Sequence, residues 1–113
     1  MADIATVVVN ATDARRAARF WATALGYRPR PDNPLILVPP DGTGPAIQID
    51  ETDRMHLDLR TASAEEQQAE IDRLIAAGAT RVDWAYPEQA SFVVLADPEG
   101  NLFCVINTGP AGP

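Results

Sequence analysis

The sequence predicts an α+β fold in which a βαβββ unit occurs twice, and three observations carry that expectation. Two helical stretches each begin at a capping residue and end at a glycine. A strand-like run precedes each of them. Three short apolar or β-branched runs, separated by turn residues, follow each of them. The predicted architecture is a single domain over residues 1–113, with curved mixed sheets forming a cleft and the helices on their convex faces. The first module spans about residues 3–51, the second about 54–107, and 108–113 form a flexible tail.

In chain order, Ile4–Asn10 is rich in β-branched residues and predicts a strand. Thr12 and Asp13 offer N-cap oxygens for a helix from about Ala14, with Ala17, Phe20, Trp21, Ala24 and Leu25 on its apolar face. Gly26 ends it in a left-handed conformation. Tyr27–Arg30, Leu35–Val38 and Ala46–Asp50 are the next three strands, split by Pro31–Pro34 and by the Pro/Gly-rich 39–45. Arg54–Arg60 then alternates strictly. Met55, Leu57 and Leu59 are predicted to face the core, and Arg54, His56, Asp58 and Arg60 a polar surface. Ser63 with Glu66 reads as a capping box for a helix that buries Ile71, Leu74 and Ile75 and closes at Gly78. Thr80–Trp84, Ser91–Leu95 and Leu102–Ile106 are the last strands, and Asp97–Gly100 is a turn.

Bulk properties narrow the function. The 113 residues carry a net charge of −7, so neither nucleic acid nor an anionic membrane surface is an expected partner. No apolar run is long enough to span a bilayer, and no secretory leader is evident. The single cysteine forms no internal disulfide, which fits a cytoplasmic protein. Asp97–Asn101 lacks the ligand spacing of an EF-hand, and turn geometry accounts for it.

Aligning the two modules pairs Asp13 with Ser63 at an offset of 50 and Gly26 with Gly78 at an offset of 52. The same comparison pairs Thr6 with His56 on the first strands and Gln48 with Cys104 on the fourth. These four residues are predicted to converge on one cleft. Asp58 and Arg54 share the predicted face of His56, and the Asp58 carboxylate would fix an imidazole tautomer for acid–base work. The alternative is a solvated Arg–Asp–Arg ladder. Cys104, between Phe103 and Val105, reads as a small hydrophobe unless the pseudo-symmetry places it in the cleft. Trp84 and Tyr86 precede the Ser91 strand, where they would stack on a flat ligand or cover the core's edge.

Asp13 with Phe20-Trp21 and Leu25-Gly26-Tyr27, His56-Leu57-Asp58-Leu59, the Leu74…Gly78-Ala79 helix end, and Asp97-Pro98-Glu99-Gly100-Asn101-Leu102-Phe103 together resemble the vicinal oxygen chelate superfamily. That superfamily includes glyoxalase, the bleomycin-resistance proteins and the extradiol dioxygenases. The resemblance covers nearly the whole chain and is strongest to the short glyoxalase-like domain branch. In metal-dependent members the ligands come from the first and fourth strands of each module, which here are Thr6, Gln48, His56 and Cys104. Only His56 is a usual strong ligand. Gln48 is admissible, Thr6 is poor, and a Cys104 thiolate suits zinc rather than an octahedral oxygen/nitrogen site.

The resemblance therefore implies a small-molecule-binding protein with a degenerate metal site and no cofactor, a divalent metal being the alternative. His56 is the candidate catalytic residue; Thr6, Gln48, Asp50, Arg54, Asp58, Trp84 and Cys104 are candidate ligand-binding residues. Two alternatives stay open: a metal-dependent lyase or isomerase acting on a small oxygenated substrate through His56, and a resistance-type protein that sequesters its ligand. As in many relatives, a homodimer is expected.

Overall fold

The β-branched run at the start of the chain forms β1 (Asp3–Asn10), and the computed structural model describes residues 1–109. Asp13 caps α1 (Ala14–Leu25) as its sequence predicts, its Oδ1 accepting from the Arg16 N–H at 3.1 Å. Gly26 ends the helix at φ 70°, a conformation only glycine adopts without strain. Then follow β2 (Arg28–Arg30), β3 (Asn33–Val38) and β4 (Ala46–Asp50). Within residues 4–57 the strands lie in the order β2-β3-β4-β1, with β3 antiparallel to β2 and β4, and β1 parallel to β4.

The core of this part joins Ala14 and Ala18 of α1 to Leu37 and Ile49, with Val9, Trp21 and Ile47 packed around them. Alternation then turns Thr6, Val8 and Gln48 to the side of the sheet that α1 does not cover. Of the apolar face predicted for α1, Ala17 and Trp21 pack on this core, and the other three residues do not. Phe20 is 62% exposed, Leu25 44% exposed, and Ala24 is exposed as well. At roughly 100° per residue Phe20 stands about 200° around the helix from Ala18, so burying the small alanines turns Phe20 outward.

The second module repeats the order with β5 (His56–Thr61), α2 (Ala64–Ala76), β6 (Thr80–Arg81), β7 (Phe92–Ala96) and β8 (Leu102–Asn107). Its strands lie in the order β5-β8-β7-β6, with β7 antiparallel to both β8 and β6. The division of the chain into two compact units falls inside β5, between Leu57 and Asp58, and Met1–Asp3 belongs with the second unit. Ile71, Ala79, Leu95 and Val105 form the second core. The face of β8 that carries Cys104 is therefore the one turned away from that core, where Val94 is its cross-strand neighbour.

Half of the capping box appears as read, with Ser63 Oγ accepting from the Glu66 N–H at 3.0 Å, while Glu66 Oε2 accepts from the Ala62 N–H at 2.8 Å, one residue before the cap. Replacing Ser63 with Ala should cost about 1 kcal/mol, measured as a lower urea midpoint with an unchanged slope. Of the three predicted core residues of α2, Ile75 is 36% exposed, and the buried neighbour of Ile71 is instead Glu70, 5% exposed. Its carboxylate is held by Arg73, with the N-terminal amine at 4.0 Å.

Several boundaries differ from the sequence reading, β3 for one beginning at Asn33 rather than Leu35. β5 begins at His56, two residues later than the alternation suggests, and burial around its start departs from the expected pattern: Met55 is 64% and Leu57 39% exposed, whereas the His56 side chain is only 12% exposed and Leu59 is half-buried. The strand predicted over 80–84 stops at Arg81, and the following segment is instead tied down by Tyr86, whose hydroxyl accepts from the Val94 N–H at 2.8 Å. Thr108, placed by the sequence in a flexible tail, is anchored; its N–H and its hydroxyl both donate to the Thr61 carbonyl at 2.9 Å. Residues 110–113 of that tail lie outside the described residues.

The Asp97 turn is explained by local hydrogen bonds, with its carboxylate accepting from the Glu99 and Asn101 N–H groups and the Asn101 amide. The Asn101 amide and backbone hold the Asp97 carboxyl below its usual range, and the Arg73 guanidinium does the same for Glu70. Because both folded values lie below the unfolded ones, these groups stabilise the fold above about pH 4–4.5 and lose that effect as pH falls through the folded values. Thermal melts should accordingly show Tm falling as the pH is lowered below about 5.

Candidate functional site

β5 carries His56 and Asp58 two residues apart, so both side chains leave the same face of the strand. β8 carries Cys104 on the face opposite its core residue Val105. One ligand atom from each of these three residues lies within 4.8 Å of the others, and all three are half-buried. Two ligands of a tetrahedral zinc stand about 3.4–3.7 Å apart, so small side-chain adjustments suffice to close the group around an ion. The donors are an imidazole nitrogen, a carboxylate oxygen and a thiol sulfur, a mixture that suits zinc better than a purely oxygen-seeking cation.

The orientation of His56 is built from the loop before it. Asp50, the last residue of β4, folds back on that loop, its Oδ1 accepting from Thr52 N–H at 2.7 Å, Thr52 Oγ1 at 3.0 Å and Asp53 N–H at 2.9 Å. Asn10 braces the same loop by donating from Nδ2 to the Asp53 carbonyl at 2.6 Å. The loop delivers the Arg54 carbonyl to within 2.9 Å of His56 Nδ1, with Asp53 Oδ2 at 3.9 Å. A carbonyl only accepts, so Nδ1 carries the proton and the neutral ring's lone pair sits on Nε2. Supporting a ligating imidazole through its other nitrogen is how metal-binding histidines are usually held. The Thr52 N–H, followed by the Asp53 N–H, holds the Asp50 carboxyl below its ordinary range; the charge of His56 is the weakest contribution.

The remaining predicted site residues separate into distinct roles. Thr6 and Gln48 lie on the side of β1 and β4 that α1 does not cover, Gln48 opposite Val8 and Ile36, and both are half-buried. Asp50 is committed to the loop. Arg54 precedes β5 and its side chain is exposed, so the backbone carbonyl is the part that contacts His56. Trp84 is 43% exposed and lies outside β6, not among the three grouped residues. The sequence reading missed Asn10 and Asp53 as supports of His56. Asp53 had a signal available: Asp-x-x-Asp after a strand is typical turn chemistry, and it lies three residues before the only histidine. The sequence reading gave Asp58 an orienting role and a place among the ligand-binding candidates; its carboxylate stands in one group with His56 and Cys104.

Comparison with known proteins gives the chain a family. No protein of curated function matches the sequence. The fold is similar to that of methylmalonyl-CoA epimerase from Mycobacterium tuberculosis, with a TM-score of 0.57 and 20% identity over 95% of this chain and 88% of that one. It is also similar to a glyoxalase/bleomycin resistance protein/dioxygenase superfamily member from Vibrio splendidus 12B01, with a TM-score of 0.55 and 14% identity over 95% and 99% of the two chains. A catechol 2,3-dioxygenase shares the fold at a TM-score of 0.50 and 15% identity, over 97% of this chain and 41% of that one. At these identities the likeness is one of fold. The sequence profile of the glyoxalase-like domain matches residues 6–106, nearly the whole chain, and the protein belongs to that family.

Proposed function

We propose that the protein binds a small oxygenated molecule at His56, Asp58 and Cys104, and that these side chains hold a divalent cation, zinc in preference to magnesium or manganese. The observation that carries this reading is the approach of the three donor atoms to within 4.8 Å. His56 presents Nε2 because the Arg54 carbonyl holds Nδ1. Asp58 contributes a hard oxygen, and Cys104 gives up its thiol proton on binding, so affinity falls as the solution is acidified. A bound ion would supply Lewis-acid polarisation of a ligand oxygen.

Three protein donors leave a fourth position for a ligand atom, the pattern of catalytic rather than structural zinc. That count favours a lyase or isomerase over sequestration as the activity of the site, in keeping with a fold that an epimerase shares. A homodimer in the cytoplasm completes the proposal; sedimentation of the purified chain reads its assembly directly.

Metal-depleted, untagged protein titrated with zinc, nickel, manganese and magnesium tests the reading. One zinc per chain should bind, with Cys104→Ser weakening zinc far more than manganese. Absence of stoichiometric binding of any of the four ions would sink it.

A further inference from the structure

A second recess lies elsewhere on the molecule, between α1 and the β2–β3 hairpin. It encloses about 220 Å³, and none of His56, Asp58 or Cys104 lines it. Ala18 and Ala22, four residues apart on α1, face Leu35 and Leu37 of β3 across it. The small side chains on the helix create the space, since a leucine at either position would fill much of it. Pro29 and Pro34 complete the walls and have no backbone N–H to offer a ligand.

The polar side chains of this lining are both guanidinium groups, Arg15 and Arg19. They also stand four residues apart, one turn along the same helix face. No carboxylate lines the recess, and neither arginine has an acidic partner among the described residues. In a chain of net charge −7 this leaves an apolar hollow with two uncompensated cations at its mouth. Guanidinium forks bind carboxylates in a bidentate, charge-assisted way, and an apolar floor rewards a hydrocarbon body. The volume equals that of about seven waters at roughly 30 Å³ each, room for a short hydrocarbon chain or a single ring.

We infer that this recess is a binding site for a small amphipathic monocarboxylate, with Arg15 and Arg19 holding the carboxylate and Ala18, Ala22, Leu35 and Leu37 the apolar body. It is separate from the function proposed for His56 and stands or falls by itself.

Sodium octanoate, 1-octanol and inorganic phosphate are the probes, titrated against the full chain by calorimetry. Octanoate should bind one per chain, with octanol and phosphate each at least about ten-fold weaker, because each lacks one half of the recognition. Arg15→Gln with Arg19→Gln should weaken octanoate about ten-fold while leaving octanol unchanged. Ala22→Leu should abolish binding of both, and His56→Ala should leave octanoate affinity as it was. The arginine pair is exposed, so its double variant is expected to fold, and far-UV circular dichroism checks that. Octanoate that fails to saturate, binds no better than octanol, or ignores the arginine pair overturns the proposal.

Discussion

His56→Ala is expected to lower zinc affinity by more than about 100-fold. Structural zinc sites with four protein ligands release roughly 10–16 kcal/mol, so one ligand accounts for about 3 kcal/mol, and each 1.4 kcal/mol is a factor of ten. The His56 imidazole is the least replaceable donor of the three, because its side chain is 12% exposed and its Nδ1 is already committed to the Arg54 carbonyl. A water in the vacated space would bind the ion without that preorganisation. Asp58→Asn keeps a neutral oxygen donor and should cost less, and Cys104→Ser should shift selectivity away from zinc. Competition titration with a chromophoric chelator gives all three affinities. Metal-free thermal melts separate ligand loss from unfolding, and an unaltered zinc affinity in His56→Ala would remove the residue from the site.

The parts of this fold that were legible in the sequence are those fixed by neighbours in the chain. Asp13 and Ser63 cap their helices because an oxygen at that position reaches an N–H three residues on, whatever surrounds it. The Asp97 turn is local for the same reason. Module duplication was legible as well, since it needs only the order of elements. Burial was not. Alternation over 54–60 gives the period of a strand but not which side chains the rest of the chain covers, and His56, Asp58 and Leu59 proved half-buried while Met55 and Leu57 are exposed. Phe20 failed similarly: helical spacing admits more than one face, and the packing chose the one bearing Ala14 and Ala18.

The candidate site shows the same division. His56 and Cys104 were found by comparing the modules strand by strand, a comparison that offers one position per strand. It offers no place to Asp58, a second residue of the same strand, which strand alternation over 54–60 put on the face of His56 instead. The support of His56 by Asp50, Asn10 and Asp53 depends on how one loop closes between β4 and β5, and residue types alone do not specify that closure.

That loop yields the second large effect. Asp50→Ala removes the acceptor of three hydrogen bonds from Thr52 and Asp53 and should destabilise the chain by about 1–3 kcal/mol. It should also weaken zinc binding about 10–100-fold without touching the ion, the usual cost of losing the support behind a ligating histidine. The Arg54 carbonyl is the link, because an unpinned loop no longer delivers it to Nδ1. Asp50→Asn separates geometry from charge. An asparagine Oδ1 accepts the same N–H groups and favours the same turn, so zinc affinity at pH 7 should stay within about two-fold of the parent. The two also differ in acid. Asp50 has its folded pKa lowered, chiefly by the Thr52 N–H, so its stabilisation is present above the unfolded value and fades as pH falls through the folded one. Asp50→Asn lacks that proton uptake and should lose less stability than the parent on acidification. If Asp50→Ala binds zinc like the parent, the loop does not orient His56, and the ring is held by its own packing instead.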